Sequence, residues 1–184
     1  MIFSSIPFLY YFLPVVLLLY FLVPKRLKNL VLLLSSLFFY GWGEPKYVVI
    51  MVISIVVGFV LGHLIEVFRG KGLSKVFFIL SLLGSVAMLG YFKYVDFFIA
   101  NLNAVTGLSI PLLKIALPIG ISFYTFQLLS YLVDVYRGTV PAQKNIINFG
   151  AYIAMFPQLI AGPIVRYRDI AAQLEQRTHS FEKC

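Results

Sequence analysis

Residues 117–138 constrain this chain most, because they are apolar enough to lie in a lipid bilayer and yet carry polar side chains at helical spacing. Pro118 is predicted to open a helix there, since its missing N–H has no partner to lose at the first helical position. A helix from Pro118 to about Tyr136 is roughly 28 Å long at about 1.5 Å per residue, close to the thickness of the hydrocarbon layer. The sequence therefore predicts a membrane-spanning helix over residues 117–136.

Polar residues and glycines follow one another along this helix at steps of four and three, which places them on one face. They are Gly120, Tyr124, Gln127, Tyr131, Asp134 and Gly138. Because an amide or a carboxylate cannot face hydrocarbon cheaply, this face is expected to point into a helix bundle or a wet cavity. Two interpretations stay open: these side chains hold helices together by hydrogen bonds, or they line a substrate path. Asp134 is the best candidate for the path, although Arg137 can instead pair with it.

The composition is that of a membrane protein. Hydrophobic residues make up 61% of the 184 residues and charged residues only 12%, and the mean hydropathy is +0.94. Soluble domains average about 25% charged residues. The net charge of +8 does not indicate nucleic-acid binding, because the basic residues are dispersed between apolar segments. The single cysteine, Cys184, has no partner for an internal disulfide, and no metal-ligand spacing occurs, so no metal site is predicted.

The apolar segments predict an all-α fold: a polytopic transmembrane helix bundle with about five or six membrane segments, including broken or re-entrant and interfacial helices. The predicted spans are residues 6–23, 30–42, 47–67, 76–94, 117–136 and 146–165. Residues 96–108 are too polar for the bilayer centre and are expected to lie in the interface. Residues 166–177 are predicted to form an amphipathic surface helix.

The basic residues predict the topology. Lys25 and Arg26 follow the first span directly, whereas no charge precedes it, which predicts an amino terminus outside the cytoplasm. Arg69, Lys71 and Lys75 form a basic loop two spans later, which belongs on the same side as Lys25 under the positive-inside rule.

Small residues on the third span predict helix packing. Ser54, Gly58 and Gly62 lie four residues apart and form a ridge that another helix can approach closely. His63 lies beside this ridge with Glu66 nearby, and a structural role is favoured over a catalytic one for such a lone histidine.

The last apolar segment, residues 146–165, is predicted to be broken. Its second half is interrupted by Pro157, Gly162 and Pro163, and its flanks are basic at Lys144, Arg166 and Arg168. Basic residues on both sides favour a re-entrant segment, but a crossing stays open. A break inside the membrane frees backbone groups that protein or a cavity must cover. Gln158, inside the break, either satisfies those groups or contacts a substrate.

Five motifs are specific enough in combination to indicate a family. They are Phe3-Ser4-Ser5, Phe39-Tyr40-Gly41-Trp42-Gly43-Glu44-Pro45, Gly90-Tyr91-Phe92-Lys93-Tyr94, residues 117–138 and Phe156-Pro157-Gln158-Leu159-Ile160-Ala161-Gly162-Pro163-Ile164. In this order they resemble the amino-terminal part of a membrane-bound O-acyltransferase, in the bacterial branch that acetylates alginate and related exopolysaccharides. The resemblance covers essentially the whole chain and implies that residues 1–184 are an incomplete part of one transmembrane domain.

The resemblance implies transfer of an acyl group, most simply acetyl, from a cytoplasmic donor to hydroxyls of an exported polysaccharide such as alginate. The implied donor is acetyl-CoA or another acyl thioester, with no resident cofactor. The implied place is the bacterial cytoplasmic membrane. The implied partners are the bilayer, the remaining carboxy-terminal part of the acyltransferase and periplasmic acetylation proteins. The residues expected to form or brace the passage are Tyr124, Gln127, Tyr131, Asp134, Gln158 and Arg166.

The catalytic histidine implied by the family lies in a later segment, where it would take the proton of the acceptor hydroxyl. Neither His63 nor His179 occupies a matching position, so residues 1–184 alone are expected to be inactive. Two alternatives from other classes stay open. One is a non-catalytic membrane scaffold that recruits a periplasmic partner, and the other is a small channel or transporter subunit, although the inverted halves typical of transporters are not visible.

Overall fold

Helices make up the architecture of this protein. The computed structural model describes residues 5–24, 27–115, 117–118, 120–157 and 167–170. Its α-helices are α1 Leu13–Leu22, α2 Lys28–Gly43, α3 Pro45–Val67, α4 Gly72–Leu89, α5 Val95–Thr106, α6 Ile121–Arg137 and α7 Ile146–Ala154, and π-helical turns cover Phe8–Phe12 and Gly90–Tyr94. No strand occurs within these residues, and the predicted all-α class is confirmed.

Two helical stretches in the described part are long and apolar enough to cross a membrane. They are Pro45–Val67, with 23 residues and a hydropathy of 2.8, and Gly72–Thr106, with 35 residues and a hydropathy of 1.9. Large apolar side chains cover their outer faces, such as Leu83 at 60% exposure and Val60 at 47%. Apolar surface on this scale is unfavourable in water and suits contact with lipid. Length and surface together indicate a membrane protein.

The first helical stretch, Phe8–Leu22, is apolar but shorter. It opens with a π-helical turn, in which the Leu13 N–H bonds to the carbonyl of Phe8, five residues earlier. The next residue, Pro14, has no N–H and cannot donate to a carbonyl of this turn. The rings of Phe8 and Phe12 pack against Phe39 of α2 and against Phe156, with centroids 5.2–5.8 Å apart. An aromatic cluster thus joins the first helix to α2 and to the residues after α7.

Helix α2 is longer than the predicted span of residues 30–42, because it begins at Lys28. The Lys28 side chain is buried, and its ammonium group lies 4.7 Å from the centroid of the Tyr20 ring. A cation over an aromatic face is stabilised by the ring quadrupole, which lets this charged residue open an apolar helix. Pro45, at the first position of α3, follows α2 after a single non-helical residue, Glu44.

The predicted span at residues 76–94 and the predicted interfacial segment at residues 96–108 lie in one continuous helical stretch, and the point at which that stretch leaves the bilayer stays a prediction. The backbone stays helical from Gly72 through the π-helical turn Gly90–Tyr94 to Thr106. Polar residues alone do not end a helix, and the break comes at Gly107, whose φ of 70° is left-handed. The chain then folds back, and the Leu113 N–H donates to the Asp96 carboxylate over 2.8 Å.

The bundle has two ends, which we name by one residue each. At the Glu44 end, α2 ends and α3 begins, and Tyr47 of α3 meets Phe92, after α4, with ring centroids 5.9 Å apart. At the Arg69 end, α3 ends, and the Arg69 guanidinium donates to the Val135 carbonyl of α6 over 2.7 Å. Helix α6 therefore runs from the Glu44 end to the Arg69 end.

Candidate functional site along α6

Helix α6 packs against α3, α4 and α7. It begins at Ile121 and not at Pro118 as predicted, because Gly120 has a φ of 75° and leaves the helical conformation. It ends at Arg137, and the N–H of Thr139 then bonds to the Asp134 carbonyl. Its 17 residues are about 25 Å long at about 1.5 Å per residue, slightly less than the predicted length.

The polar face of α6 points into the protein. Tyr124 and Tyr131 are fully buried and Gln127 is 4% exposed, whereas Phe123 and Phe126 are 45% and 49% exposed. This polarity is the inverse of a soluble helix and matches an apolar surrounding. Three of the predicted passage residues thus come together inside the bundle. That they line a substrate path stays a prediction.

Gln127 joins α6 to α7. Its Nε2 donates to the backbone carbonyl of Tyr152 over 2.9 Å, and the bond is buried. Helix α7 ends at Ala154, and Met155 has a ψ of 111°, so the carbonyls of the last turn lose their helical donors. The Gln127 amide supplies one of these missing donors, which gives this residue a structural role at the break of α7.

A second buried network lies nearer the Arg69 end. The Tyr131 hydroxyl accepts from the backbone N–H of Gln143 over 3.0 Å, and the Gln143 side chain donates to the Tyr167 hydroxyl over 2.9 Å. The Tyr167 ring packs on the Tyr131 ring with centroids 5.1 Å apart. The Glu66 carboxylate accepts from the Ala142 N–H over 3.1 Å. The link between α6 and α7 is therefore fixed to α3, to α6 and to Tyr167.

Asp134 is half-buried on the last turn of α6. Its Oδ2 is buried and has no hydrogen-bond partner among the residues that the structure describes. The predicted alternative was a pair with Arg137, but these two described side chains form no ion pair, and Arg137 is exposed. Asp134 lies within electrostatic reach of Tyr152, on the α7 side of the bundle.

The small residues of α3 lie against α6. A side-chain carbon built on Gly58 would collide with Leu128, and one built on Gly62 would lie 2.8 Å from the ring of Tyr131. Ser54 is buried and donates to the Ile50 carbonyl over 2.8 Å. The geometry has the close helix approach expected of a small-residue ridge. His63, beside the ridge, is exposed.

A cavity of about 240 Å³ lies between α3, α4 and α6. Its polar lining consists of Ser54, Ser81 and Ser85, and the other lining residues are apolar or glycine. Such a lining suits an apolar group and offers no charge to a donor thioester. No group of three or more potential metal ligands occurs in the part of the chain that the structure describes.

Gln158 and Arg166, the two other predicted passage residues, lie outside the described residues. Gln143 stands in a short loop without any sequence pattern and was not predicted as a site residue. Tyr40 was not predicted as a site residue either, although it belongs to one of the five motifs. Its burial, with 6% of the residue exposed, becomes visible only when α2 is packed into the bundle against α3 and α7.

Comparisons with known proteins found relatives over the full length of the chain. The chain is 41% identical to the probable alginate O-acetylase AlgI of Pseudomonas syringae pv. tomato and 42% identical to that of Pseudomonas aeruginosa, covering 100% of this chain and 36% of each relative. It is 30% identical to the peptidoglycan O-acetyltransferase of Helicobacter pylori, covering 98% of this chain and 40% of the relative.

The chain thus spans well under half the length of these relatives. No family model matches the chain. No solved structure matches it either. The relatives are O-acetylating proteins, and the resemblance that the five motifs predicted is confirmed.

Proposed function

We propose that this chain, a relative of the membrane-bound O-acyltransferases that acetylate alginate, forms part of an enzyme that transfers acetyl groups to hydroxyls of an exported polysaccharide. The observation that carries the proposal is the identity of 41% over the whole chain to an alginate O-acetylase. Because the chain spans 36% of that relative, the reaction belongs to the whole protein and not to these residues alone. Their role is to build and brace the membrane passage.

In the proposed reaction, the acceptor hydroxyl attacks the carbonyl carbon of an acyl thioester. A carbon–oxygen bond forms, the carbon–sulfur bond breaks, and the hydroxyl proton passes to a base and then to the departing thiolate. The base is a histidine in a later segment of the full-length protein. The buried polar face of α6 supports a passage, since it carries Tyr124, Gln127, Tyr131 and the half-buried Asp134 along the inside of the bundle. Gln158 and Arg166 are proposed to extend it.

The proposed topology has five or six membrane segments in the bacterial cytoplasmic membrane. The basic residues Arg69 and Lys71 support a cytoplasmic Arg69 end under the positive-inside rule, and in the proposed topology the Glu44 end and the amino terminus therefore lie outside. A thioester donor then arrives at the Arg69 end and the polymer at the Glu44 end. The remaining part of the acyltransferase and periplasmic acetylation proteins are the proposed partners.

We also propose that residues 146–165 are re-entrant. Gln143, before α7, donates to the Tyr167 hydroxyl over 2.9 Å, so the chain on both sides of this segment lies at one end of the bundle. Phe156 lies deeper, where its N–H reaches the Ser36 hydroxyl of α2 at 3.4 Å. A segment that enters, breaks and leaves on the same side accounts for both contacts.

The proposed function is tested by deleting the gene in its host and restoring it on a plasmid. Acetyl groups on the purified exopolysaccharide are measured by proton NMR, with the empty plasmid as the control. We expect the deletion to abolish polymer O-acetylation and the full-length gene to restore it. If the restored protein accumulates in the membrane but the polymer carries the same acetyl content with and without it, the acyltransferase function fails. Solute flux through liposomes that hold the purified protein would then favour the channel alternative.

A further inference from the structure

Packing alone does not explain why two buried residues at the Glu44 end are tyrosine and not phenylalanine. Tyr40, on the last turn of α2, is 6% exposed, and Tyr124, on the first turn of α6, is fully buried. Neither hydroxyl has a hydrogen-bond partner among the described residues. A buried polar group without a partner costs about 1–3 kcal/mol, and phenylalanine would fill the same space without that cost. The buried hydroxyls of Tyr131 and Tyr167, in contrast, are both bonded.

The Tyr40 and Tyr124 side chains belong to the same buried core cluster. Tyr40 lies within electrostatic reach of Tyr124, and both lie within reach of the Glu44 carboxylate at the corner between α2 and α3. A phenol can both donate and accept a hydrogen bond, whereas an ionised carboxylate only accepts. The negative charge of Glu44 disfavours an anionic group between the two phenols. The site therefore suits a neutral group that donates and accepts at once, which is the hydrogen-bonding pattern of an alcohol.

The position of the site indicates which alcohol it would meet. It lies at the opposite end of α6 from Arg69 and Arg137, because Tyr124 is on the first turn of that helix and Arg137 is its last residue. Under the proposed topology, in which the basic residues mark the cytoplasmic side, the two tyrosines lie toward the exported side of the membrane. Under the proposed function, a polymer that carries many hydroxyls arrives there.

We propose that the hydroxyls of Tyr40 and Tyr124 bind a sugar hydroxyl of the acceptor polymer as it enters from the exported side. This inference rests on the proposed function, and it assigns Tyr40 and Tyr124 to the site that binds the acceptor. Both side chains act by binding: the phenols hold a hydroxyl by hydrogen bonds, and no proton transfer is assigned to them. The negative charge of Glu44 disfavours anionic groups, so a hydroxyl of the sugar ring and not its carboxylate occupies the site.

The test removes each hydroxyl by the substitutions Tyr40→Phe and Tyr124→Phe, singly and together. The variants are made in the full-length protein, which is purified and placed in lipid nanodiscs. Binding of radiolabelled alginate oligosaccharides is measured by equilibrium dialysis, together with KM and kcat for the same acceptor and the temperature of unfolding. Each single variant is expected to bind about three- to tenfold more weakly, the effect of one net hydrogen bond, and to raise KM for the acceptor more than it lowers kcat. The unfolding temperature should stay equal or rise, because an unsatisfied polar group is removed.

Tyr136→Phe is the matched control. Tyr136 is on the same helix, and its ring stacks on Phe78 with centroids 4.5 Å apart, far along α6 from the proposed site. This variant should bind the oligosaccharides like the wild type. Equal binding by all the variants and the wild type would overturn the proposed acceptor site while the proposed function survives, provided that the wild type acetylates.

A marked fall in the unfolding temperature of Tyr40→Phe or Tyr124→Phe would also overturn it, because the hydroxyl would then be bonded within the protein. A wild type that binds the oligosaccharides through these hydroxyls but transfers no acetyl group would support the binding site and refute the proposed function.

Discussion

At the scale of single residues, the polar face of α6 combines structural bonds with hydroxyl and carboxylate oxygens that have no described partner. Gln127 and Tyr131 are bonded to the break of α7 and to the loop before it. Tyr124 and Asp134 carry oxygens without a partner in the described part of the chain. Each residue of this face can therefore be assigned to one of the two roles, holding helices together or contacting a substrate. We assign Gln127 and Tyr131 to bracing and propose Tyr124 and Asp134 for contact with a substrate.

Gln127→Leu is expected to destabilise the protein by about 1–3 kcal/mol, because the Tyr152 carbonyl loses its donor in a place that water does not reach. Thermal unfolding of the purified protein in detergent measures this. Phe126→Leu, at the neighbouring half-exposed position, serves as the control and should change little. If Gln127→Leu unfolds at the wild-type temperature, its bond to Tyr152 contributes nothing, and the amide becomes a candidate for substrate contact instead.

At the scale of helices, the contact between α3 and α6 depends on the absence of side chains at Gly58 and Gly62. The Tyr131 ring lies directly over Gly62, and it cannot retreat easily, because its hydroxyl is bonded to the Gln143 N–H and its ring is packed on Tyr167. Closely packed cores respond to one added carbon atom by strain in their neighbours.

Gly62→Ala is therefore expected to lower stability by about 1–3 kcal/mol through overpacking against Tyr131. Gly84→Ala on α4 is the matched control, because nothing lies within 4 Å of a side-chain carbon built there. Alanine has the higher helix propensity, so the control should be neutral or more stable by up to about 1 kcal/mol. Urea or thermal unfolding of both variants side by side provides the measurement. Equal stability of the two variants would contradict the close packing of α3 on α6.

The elements also show how far the sequence alone determines the fold. Periodicity predicted the buried polar face of α6, because spacing along one helix fixes which residues share a face. It misplaced the start of this helix, since Pro118 is a good first residue but Gly120, in a left-handed conformation, decides the boundary. The unpartnered hydroxyl of Tyr40 could not be predicted, because it depends on how α2 packs into the bundle against α3 and α7. No local pattern at Gln143 indicates a bond to Tyr167, 24 residues away.

At the scale of the whole molecule, the distribution of charge at the two ends of the bundle supports a direction for the proposed reaction. The Arg69 end holds the exposed basic residues Arg69, Lys71, Lys75, Arg137 and Lys144. The Glu44 end holds fewer exposed basic residues, namely Lys46, Lys93 and Lys114, together with the carboxylates of Glu44 and Asp96 and the two unpartnered phenols. An anionic thioester donor such as a coenzyme A ester would be attracted to the first end, and a hydroxyl-rich polymer would fit the second. This division requires that the two ends face opposite sides of the membrane.

Single cysteines placed at the two ends test that orientation and the re-entrant segment together. Cys184 is the single cysteine of these 184 residues. Cys184→Ser, together with serine at every cysteine in the rest of the full-length protein, gives a background without thiols, into which Lys46→Cys, Lys71→Cys, Lys144→Cys and Arg168→Cys are introduced at exposed positions. A membrane-impermeant maleimide is applied to intact spheroplasts and to inverted vesicles.

We expect the cysteine at position 46 to react from outside, and those at 71, 144 and 168 to react only from the cytoplasmic side, because Gln143 and Tyr167 meet at the Arg69 end. Labelling of position 168 from outside, with 144 still cytoplasmic, would mean that residues 146–165 cross the membrane. Labelling of position 71 from outside would reverse the whole bundle and with it the proposed route of donor and acceptor.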